Sequence, residues 1–251
     1  MSKPAPDTTH FGFETVTTSE KAGRVRGVFD SVASNNHLMN DLMSGGLHRI
    51  WKHYTLERTG LREGDVALDV ACGTGDLAAG MSKQVGDAGL VVMTDINAAM
   101  LAEGRRRIIN RGIVGNDALA QSNAECLPFA DDNFNCITIG FGLRNVTEKP
   151  AALRSMARVL KPGGRLLILE FSKPSLGALQ PLYDLHLFRV LPALGKYIAK
   201  DADSYQYLAE SIRVHPNQDE MLRLMGEAGL EDSRYYNLSG GIVALHVGYK
   251  Y

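Results

Sequence analysis

Short apolar runs alternate with helical patterns along most of this chain. The runs have the length of buried strands, and the stretches between them repeat apolar residues every three or four positions, as amphipathic helices do. Strands that alternate with helices form parallel sheets, so the pattern predicts an α/β fold with a mostly parallel sheet. The predicted strands are Val66–Val70, residues 90–94 with Asp95 directly after them, Asp117–Gln121, residues 136–141 and residues 165–170.

The two ends of the chain differ from this alternating core. Residues 19–58 carry apolar stripes that predict an N-terminal helical cap. Residues 176–194 form an apolar insertion, and residues 218–229 have a helical pattern again. The last two strand-like runs lie too close together for a crossover helix, so we expect the sheet to end in an antiparallel pair. These runs cover residues 235–238 and 242–249.

The length of 251 residues suits one α/β domain with additions better than two independent domains. We therefore expect a single domain in three parts. Residues 1–60 form the helical cap, residues 61–174 form the ligand-binding core, and residues 175–251 contain the insertion, the last helix and the terminal strands.

Composition and charge narrow the function classes. The 27 basic and 28 acidic residues nearly balance, so nothing in the charge favours nucleic acid as a partner. Cys72, Cys126 and Cys136 lie in or beside apolar runs without metal-ligand spacing, which favours buried thiols in a reducing compartment. The first residues resemble neither a signal nor a transit peptide, and no apolar stretch could span a bilayer. We therefore expect a cytoplasmic protein.

A glycine turn follows the first predicted strand, in the run Asp69-Val70-Ala71-Cys72-Gly73-Thr74-Gly75-Asp76. The turn satisfies the loose G-x-G-x-x-G/A pattern that brings a dinucleotide's pyrophosphate onto backbone N–H groups. Asp69 and Asp76 would oppose that anion, whereas S-adenosylmethionine offers an ammonium and a sulfonium. We interpret the turn as a methyl-donor site, and a tight connection that binds nothing is the structural alternative. The candidate contacts are Asp69, Gly73, Thr74 and Gly75.

Polar residues also follow the second and third predicted strands. Asp95 stands where an acidic residue receives ribose hydroxyls in nucleotide-binding sheets, and its alternative role is the N-cap of the next helix. Asn123 and Ala124 follow the third strand, where the Asn123 amide could contact an adenine edge and Leu127 or Phe129 could cover its face. Ordinary turn chemistry is the alternative there. Ligands of open α/β sheets bind outside the carboxyl ends of the strands, where all these residues lie.

The fourth predicted strand ends in the run Gly140-Phe141-Gly142-Leu143-Arg144-Asn145-Val146, our candidate for the chemical centre. The guanidinium of Arg144 could stabilise a deprotonated acceptor oxygen, and Asn145 could orient a water molecule or a substrate hydroxyl. A structural ion pair of Arg144 at the sheet edge is the alternative.

These runs, taken together, resemble the ubiquinone/menaquinone biosynthesis C-methyltransferase family, within the class I S-adenosylmethionine-dependent methyltransferases. The resemblance covers nearly the whole chain. The runs that narrow it to this family are Phe141-Gly142-Leu143-Arg144-Asn145-Val146 and Asp203-Ser204-Tyr205-Gln206-Tyr207. Other matching runs include Thr8-Thr9-His10-Phe11-Gly12-Phe13, Asn123-Ala124-Glu125 and Glu170-Phe171-Ser172-Lys173-Pro174.

The resemblance implies a Rossmann-like class I methyltransferase fold with seven strands, the last of them antiparallel. It implies S-adenosylmethionine as the cofactor and no metal. Two positions depart from the family: Asn35-Asn36-His37 lacks an aromatic ring and a carboxylate usual in the cap, and Gly140 stands where serine is frequent. The cofactor contacts that it implies are Thr74, Asp95, Asn123 and Ala124.

The reaction implied by the resemblance is methylation of a ring carbon of a prenylated quinol, either demethylmenaquinol or a polyprenyl-methoxy-benzoquinol. A quinol becomes strongly carbon-nucleophilic when it loses a proton, so the site needs to hold a phenolate. We expect Arg144 with Asn145 to do so, while a water molecule or a nearby residue takes the proton, because a guanidinium is rarely neutral.

The apolar insertion is the expected source of a channel for the prenyl tail, and it could also contact the inner face of the membrane. A core helix packed on the sheet is the alternative for that segment. Contact with other quinone-biosynthesis proteins and a homo-oligomer remain open. Two other function classes also remain: a dinucleotide oxidoreductase, and a non-catalytic scaffold of a quinone-biosynthesis assembly that keeps the fold.

Overall fold

The computed structural model describes residues 8–32, 40–41, 43–113, 115–175, 180–190 and 202–251. Within these residues a seven-stranded sheet forms the centre, and a two-stranded hairpin precedes it. The strands are β1 (Thr8–Phe11), β2 (Glu14–Thr17), β3 (Val66–Val70), β4 (Leu90–Asp95), β5 (Asp117–Gln121), β6 (Phe134–Gly140), β7 (Leu160–Phe171), β8 (Glu231–Leu238) and β9 (Val243–Tyr249). The α-helices are α1 (Thr18–Val32), α2 (His48–Leu56), α3 (Asp76–Val85), α4 (Ala98–Asn110), α5 (Lys149–Val159), α6 (Gln180–Leu185), α7 (Ala202–Val214) and α8 (Gln218–Glu227).

The strand order in the large sheet is β5-β4-β3-β6-β7-β9-β8. β3 pairs in parallel with both β4 and β6, while β9 runs antiparallel to β7 and to β8. Only a short 3₁₀ turn, Ser239–Gly241, joins β8 to β9, which leaves no room for a crossover. The predicted fold class, a mostly parallel sheet with an antiparallel final strand, is confirmed.

The two faces of the sheet bury different apolar sets because side chains alternate along each strand. On β3, Leu68 belongs to the core that α5 and α8 cover, whereas Ala67 belongs to the core beneath α3. Full burial of an aliphatic side chain contributes roughly 1.5–3 kcal/mol, so the two layers hold the helices in place. Asp69 lies two residues after Ala67 and therefore on the α3 side.

Most predicted elements occur where the pattern placed them, and β3 and β5 have the predicted bounds. β6 ends at Gly140 instead of Phe141, because Phe141 has a φ of +57° that takes the chain out of the strand. Cys136 is buried as expected. Cys126 is exposed, so the expectation of a buried thiol is wrong for that residue.

The N-terminal part contains α1, α2 and the β1–β2 hairpin, which the apolar pattern did not predict. Trp51 fixes α2 to the sheet: its indole N–H donates to Ser239 Oγ at 3.0 Å, and its ring meets Phe171 edge-on at 6.2 Å. The run Asn35-Asn36-His37, where the chain departs from the family pattern, lies outside the described residues.

The apolar insertion is described from residue 180 to residue 190, as α6 followed by a π-turn, His186–Val190. Tyr183 and Leu187 are buried against the sheet, while Leu185 and Phe188 stay 49% and 38% exposed. The segment is thus partly a core element and partly an exposed apolar surface. Among the described residues, every helix falls short of the length and apolarity that crossing a bilayer demands.

Candidate active site

A cavity of about 510 Å³ opens at the carboxyl ends of four neighbouring strands, β5, β4, β3 and β6. The strand connections reverse direction at β3, and open α/β sheets bind ligands at such a point. The N-terminal part supplies the opposite wall. Residues from it that line the cavity are Thr18, Ser19, Val25, Asn40 and Lys52.

The glycine turn between β3 and α3 forms the floor of the cavity. Gly73 and Thr74 line it, as predicted, and Gly73 has a φ of +53° that favours glycine. Gly75 is not among the lining residues. Its φ of +74° favours glycine, and a Cβ there would also lie 2.7 Å from Met93 Cε. Ala71, directly after β3, also has a positive φ of +50°.

Asp69 does not reach the cavity. Its carboxylate accepts a hydrogen bond from Thr138 Oγ1 at 2.7 Å and one from the backbone N–H of Ala78 at 3.1 Å. Burial raises the pKa of Asp69 to about 7, against the opposing effect of these two hydrogen bonds. This carboxylate fastens α3 to the sheet, and the expectation that it lines the ligand site is wrong.

Asp76 is also turned away from the cavity, where it meets three cations. Lys52 Nζ lies 2.9 Å from its Oδ2, and Arg111 and Arg107 reach its Oδ1 at 2.9 Å and 3.3 Å. Burial acts to raise the pKa of Asp76, but these cations outweigh it and hold the pKa below its usual range. The proposed negative lining from Asp69 and Asp76 is therefore wrong, since both charges are used inside the protein.

Asp95, which ends β4, lines the cavity, unlike Asp69 and Asp76. Its Oδ2 accepts the backbone N–H of Gly73 at 3.0 Å, and its Oδ1 accepts that of Asn97 at 2.9 Å. The N-cap of α4 is Asn97, not Asp95. Burial raises the pKa of Asp95 despite these bonds. Each carboxylate oxygen has a second lone pair, so Asp95 can hold the glycine turn and still accept a ligand hydroxyl.

Asn123 and Ala124 line the cavity beyond β5. The Oδ1 of Asn123 accepts the N–H of Glu125 at 3.0 Å and caps a 3₁₀ turn, which is the turn chemistry held open as the alternative. Leu127 is buried in the core, and Phe129 packs edge-on against Phe134 at 5.1 Å. Neither lines the cavity, so the expectation that they cover an adenine is wrong.

Arg144 lines the cavity and forms a buried ion pair with Glu170. Its Nη1 lies 2.8 Å from Glu170 Oε1, its backbone N–H donates to Oε2 at 3.1 Å, and Nη1 also donates to the carbonyl of Phe141. Arg144 thus lines the cavity and also forms the ion pair held open as the alternative, while its part in the reaction stays a prediction. Its buried Nε has no hydrogen-bond partner among the described residues.

Asn145 is oriented by a side chain from α7. Its Oδ1 accepts the hydroxyl of Tyr207 at 3.1 Å, and the ring of Tyr207 stacks on Phe11 of β1 at 4.2 Å. The Nδ2 of Asn145 is buried and has no partner within the described part of the chain. Arg144 and Asn145 are therefore neighbours in the cavity wall, and each has one buried donor nitrogen that the described residues leave without a partner.

Several residues of the cavity wall were not among the predicted contacts. Lys52 lines the cavity from α2, where the apolar pattern predicted only a helical cap. Glu125 accepts the backbone N–H groups of Thr147 and Glu148 at 3.1 Å and 3.0 Å, which joins the β5 and β6 loops. The Oγ of Ser122 is a further buried group without a partner among described residues in the wall.

Residues 16–250 match the ubiE/COQ5 methyltransferase family. The chain belongs to this family. A Teredinibacter turnerae protein named ubiquinone/menaquinone biosynthesis C-methyltransferase is 59% identical over 97% of this chain and 98% of its own length. An Enterobacter protein of the same name is 57% identical over the full length of both chains. A solved S-adenosylmethionine-dependent methyltransferase of Aquifex aeolicus shares the fold, with a TM-score of 0.58, 20% identity, and coverage of 78% of this chain and 88% of its own.

Membership of the ubiE/COQ5 methyltransferase family sets aside the dinucleotide reading of the glycine turn, and S-adenosylmethionine is the cofactor. The residues present fit it. Gly73 presents backbone without a side chain to the cavity, and Asp95 can accept ribose hydroxyls. Ser122 Oγ is a buried polar atom of a wall residue that has no partner among the described residues. At Gly140, a Cβ would lie 2.8 Å from Leu77 Cδ1, so a serine there requires that flexible side chain to move.

Proposed function

We propose that this chain transfers a methyl group from S-adenosylmethionine to a ring carbon of a prenylated quinol. Its relatives of 57–59% identity are named ubiquinone/menaquinone biosynthesis C-methyltransferases. The structural observation that carries the proposal is that Arg144 and Asn145 lie side by side in the wall of the cavity that the glycine turn opens. Each has a buried donor nitrogen, Arg144 Nε and Asn145 Nδ2, without a partner among the described residues.

The acceptor must lose a phenolic proton before its ring carbon attacks. Two donor nitrogens that have no partner in the described part of the chain suit a phenolate oxygen, because the fold fixes them and burial strengthens their hydrogen bonds. S-adenosylmethionine, when bound, supplies an electrophilic methyl group on a sulfonium. The phenolic proton goes to water in this scheme, since the guanidinium of Arg144 stays charged. As the ring carbon bonds to the methyl group, the methyl–sulfur bond would break and S-adenosylhomocysteine would leave. The hydrogen on the methylated ring carbon would then be lost to water as a proton, which restores the aromatic ring.

Glu170 changes how Arg144 acts. Because the ion pair balances the charge of the guanidinium, Arg144 contributes a directed hydrogen bond more than a free positive charge. Tyr207 orients the second donor. Its hydroxyl donates to Asn145 Oδ1, which fixes the side-chain amide and leaves Nδ2 for another acceptor. Both donors are therefore positioned before the quinol arrives, which lowers the cost of reorganisation.

The prenyl tail is assigned to the apolar surface formed by Phe13, Leu185 and Phe188. Phe13 is 58% exposed and stacks on Phe188 at 6.1 Å. The buried face of α6 lies near Arg144. Burial raises the pKa of Tyr183 on that helix, and the positive charge of Arg144 opposes this rise. Such a surface also suits contact with the membrane, where prenylated quinols reside.

The test is anaerobic incubation with methyl-labelled S-adenosylmethionine and reduced demethylmenaquinol or a methoxy-benzoquinol carrying a short prenyl tail. Label in the quinone product is expected. Arg144→Lys keeps a cation opposite Glu170 but removes the Nε donor, and we expect turnover to fall at least about tenfold. S-adenosylhomocysteine binding, measured by calorimetry, should persist.

Arg223→Lys is the matched control, because Arg223 forms only an exposed pair with Glu227 on α8. Full turnover of Arg144→Lys would remove the role given to Arg144. A wild-type protein that binds S-adenosylhomocysteine but leaves every quinol unlabelled would favour the non-catalytic scaffold instead.

A further inference from the structure

Lys52 is the cationic residue of α2 that faces the ligand cavity. Its Nζ lies 2.9 Å from Asp76 Oδ2, and its side chain is 15% exposed. Asp76 also receives Arg107 and Arg111, neither of which lines the cavity. One carboxylate thus meets three cations, and Lys52 alone of the three opens onto the ligand side.

The position of this ammonium is fixed beside the glycine turn. Asp76 is the first residue of α3 and directly follows Gly75. A side chain within 2.9 Å of the Asp76 carboxylate therefore stands at the end of the turn whose Gly73 and Thr74 form the cavity floor. Lys52 reaches this place from the opposite wall, so it joins the N-terminal part to the core.

The cavity offers few cations for a ligand anion. Within the described wall, the cationic side chains are Lys52 and Arg144. Arg144 is committed to Glu170 through both its side chain and its backbone N–H. Lys52 shares its carboxylate with two arginines, so Asp76 keeps strong partners if the ammonium also binds another anion.

We propose that Lys52 binds the carboxylate at the amino-acid end of S-adenosylmethionine. The inference rests on the methyl donor of the proposed function and adds the contact that recognises its α-carboxylate. Charged hydrogen bonds between an ammonium and a carboxylate are the strong ones, and a half-buried wall preserves their strength. Lys52 would then make S-adenosylmethionine bind more tightly than related nucleosides that lack the amino-acid end.

Two ligands separate this role from a purely structural one. S-adenosylhomocysteine carries the amino-acid end, whereas 5′-methylthioadenosine has the same nucleoside and thioether without it. Calorimetry with Lys52→Met should show a dissociation constant for S-adenosylhomocysteine raised about tenfold or more, with that for methylthioadenosine changed less than about twofold. Lys52→Arg keeps the charge and should recover much of the loss.

Arg111→Met is the matched control, because it removes a cation from Asp76 without touching the cavity. We expect both ligands to bind it as they bind wild type. If Lys52→Met weakens the binding of both ligands equally, or of neither, Lys52 serves only to link α2 to α3 and the proposal is wrong. Turnover of the wild-type protein with quinol is a separate result, so failure of the methyl-transfer function would be recognised independently.

Discussion

The carboxylate of Glu170 holds Arg144 at two points, with Oε1 2.8 Å from Nη1 and Oε2 3.1 Å from the backbone nitrogen. The third bond of this carboxylate, from the N–H of Phe171 at 2.9 Å, fixes it to the end of β7. Both side chains are nearly fully buried. The orientation of the Arg144 side chain is thus set by the neighbouring strand together with the Phe141 carbonyl of the loop that carries it.

Glu170→Gln should therefore destabilise the fold as well as the site. It leaves the buried guanidinium without its counter-charge, and breaking such a pair costs about 3 kcal/mol or more. The midpoint of urea unfolding, followed by circular dichroism, measures the loss. The same change at exposed Glu227, which pairs with Arg223, should leave the midpoint unchanged.

Tyr207→Phe tests whether the orientation of Asn145 matters for turnover. The ring and its stacking on Phe11 remain, but the hydroxyl that Asn145 Oδ1 accepts is lost. We expect kcat to fall roughly threefold to tenfold, the scale of one neutral hydrogen bond, with unchanged binding of S-adenosylhomocysteine. Tyr251→Phe, which removes an exposed hydroxyl bonded to Asp232, is the control. Equal kcat in the two variants would show that the Tyr207 hydroxyl is dispensable.

Asp95→Asn should weaken S-adenosylhomocysteine binding by about tenfold or more. The change removes a charged acceptor from the cavity and weakens the bond that holds the Gly73 N–H. Asn97→Asp is the paired control, because an aspartate there still caps α4 and its side chain does not line the cavity. Calorimetric titration of S-adenosylhomocysteine into both variants measures the two dissociation constants. Tight binding by Asp95→Asn would deny this carboxylate a part in the site.

The buried carboxyl of Asp69 should make stability fall as pH rises. Its pKa is about 7 in the folded protein against an ordinary value of 3.8, so the folded state binds the proton more tightly. The resulting stabilisation is full below pH 3.8 and is lost as pH rises through 7, by on the order of 2 kcal/mol between pH 5.5 and 7.

Asp69→Asn removes this dependence. The amide can still accept from Ala78 N and donate to Thr138 Oγ1, so the hydrogen bonds of the site survive in number. Urea unfolding at pH 5.5 and pH 8 should give a smaller difference for the variant than for wild type. An unchanged difference would mean that another group titrates.

The sequence predicted the sheet well because several strands contain continuous apolar runs that are buried on both faces, as residues 90–93 of β4 show. The hairpin escaped prediction because its strands have four residues each and are mostly polar, so no apolar period marks them. It is held by contacts remote in the chain, such as Phe13 N–H to Glu210 Oε2 across 197 positions.

The sequence predicted many residues of the cavity wall but not the partners of the charged side chains around it. Strand ends identified Asp95, Arg144 and Asn145, because the carboxyl ends of parallel strands meet at one edge. They could not show that Asp69 points to the α3 side, or that Asp76 is met by cations from α2 and α4. Those partners depend on helix docking, which a local pattern does not contain.

The stacked rings of Phe11 and Tyr207 join segments that translation produces far apart in time. The hairpin is made before the large sheet, whereas the helix that receives it, α7, is made after β3 to β7. The amide of Asn145 acquires its orienting hydroxyl at the same late stage. A nascent chain can therefore complete its glycine turn well before the wall that faces the quinol is assembled.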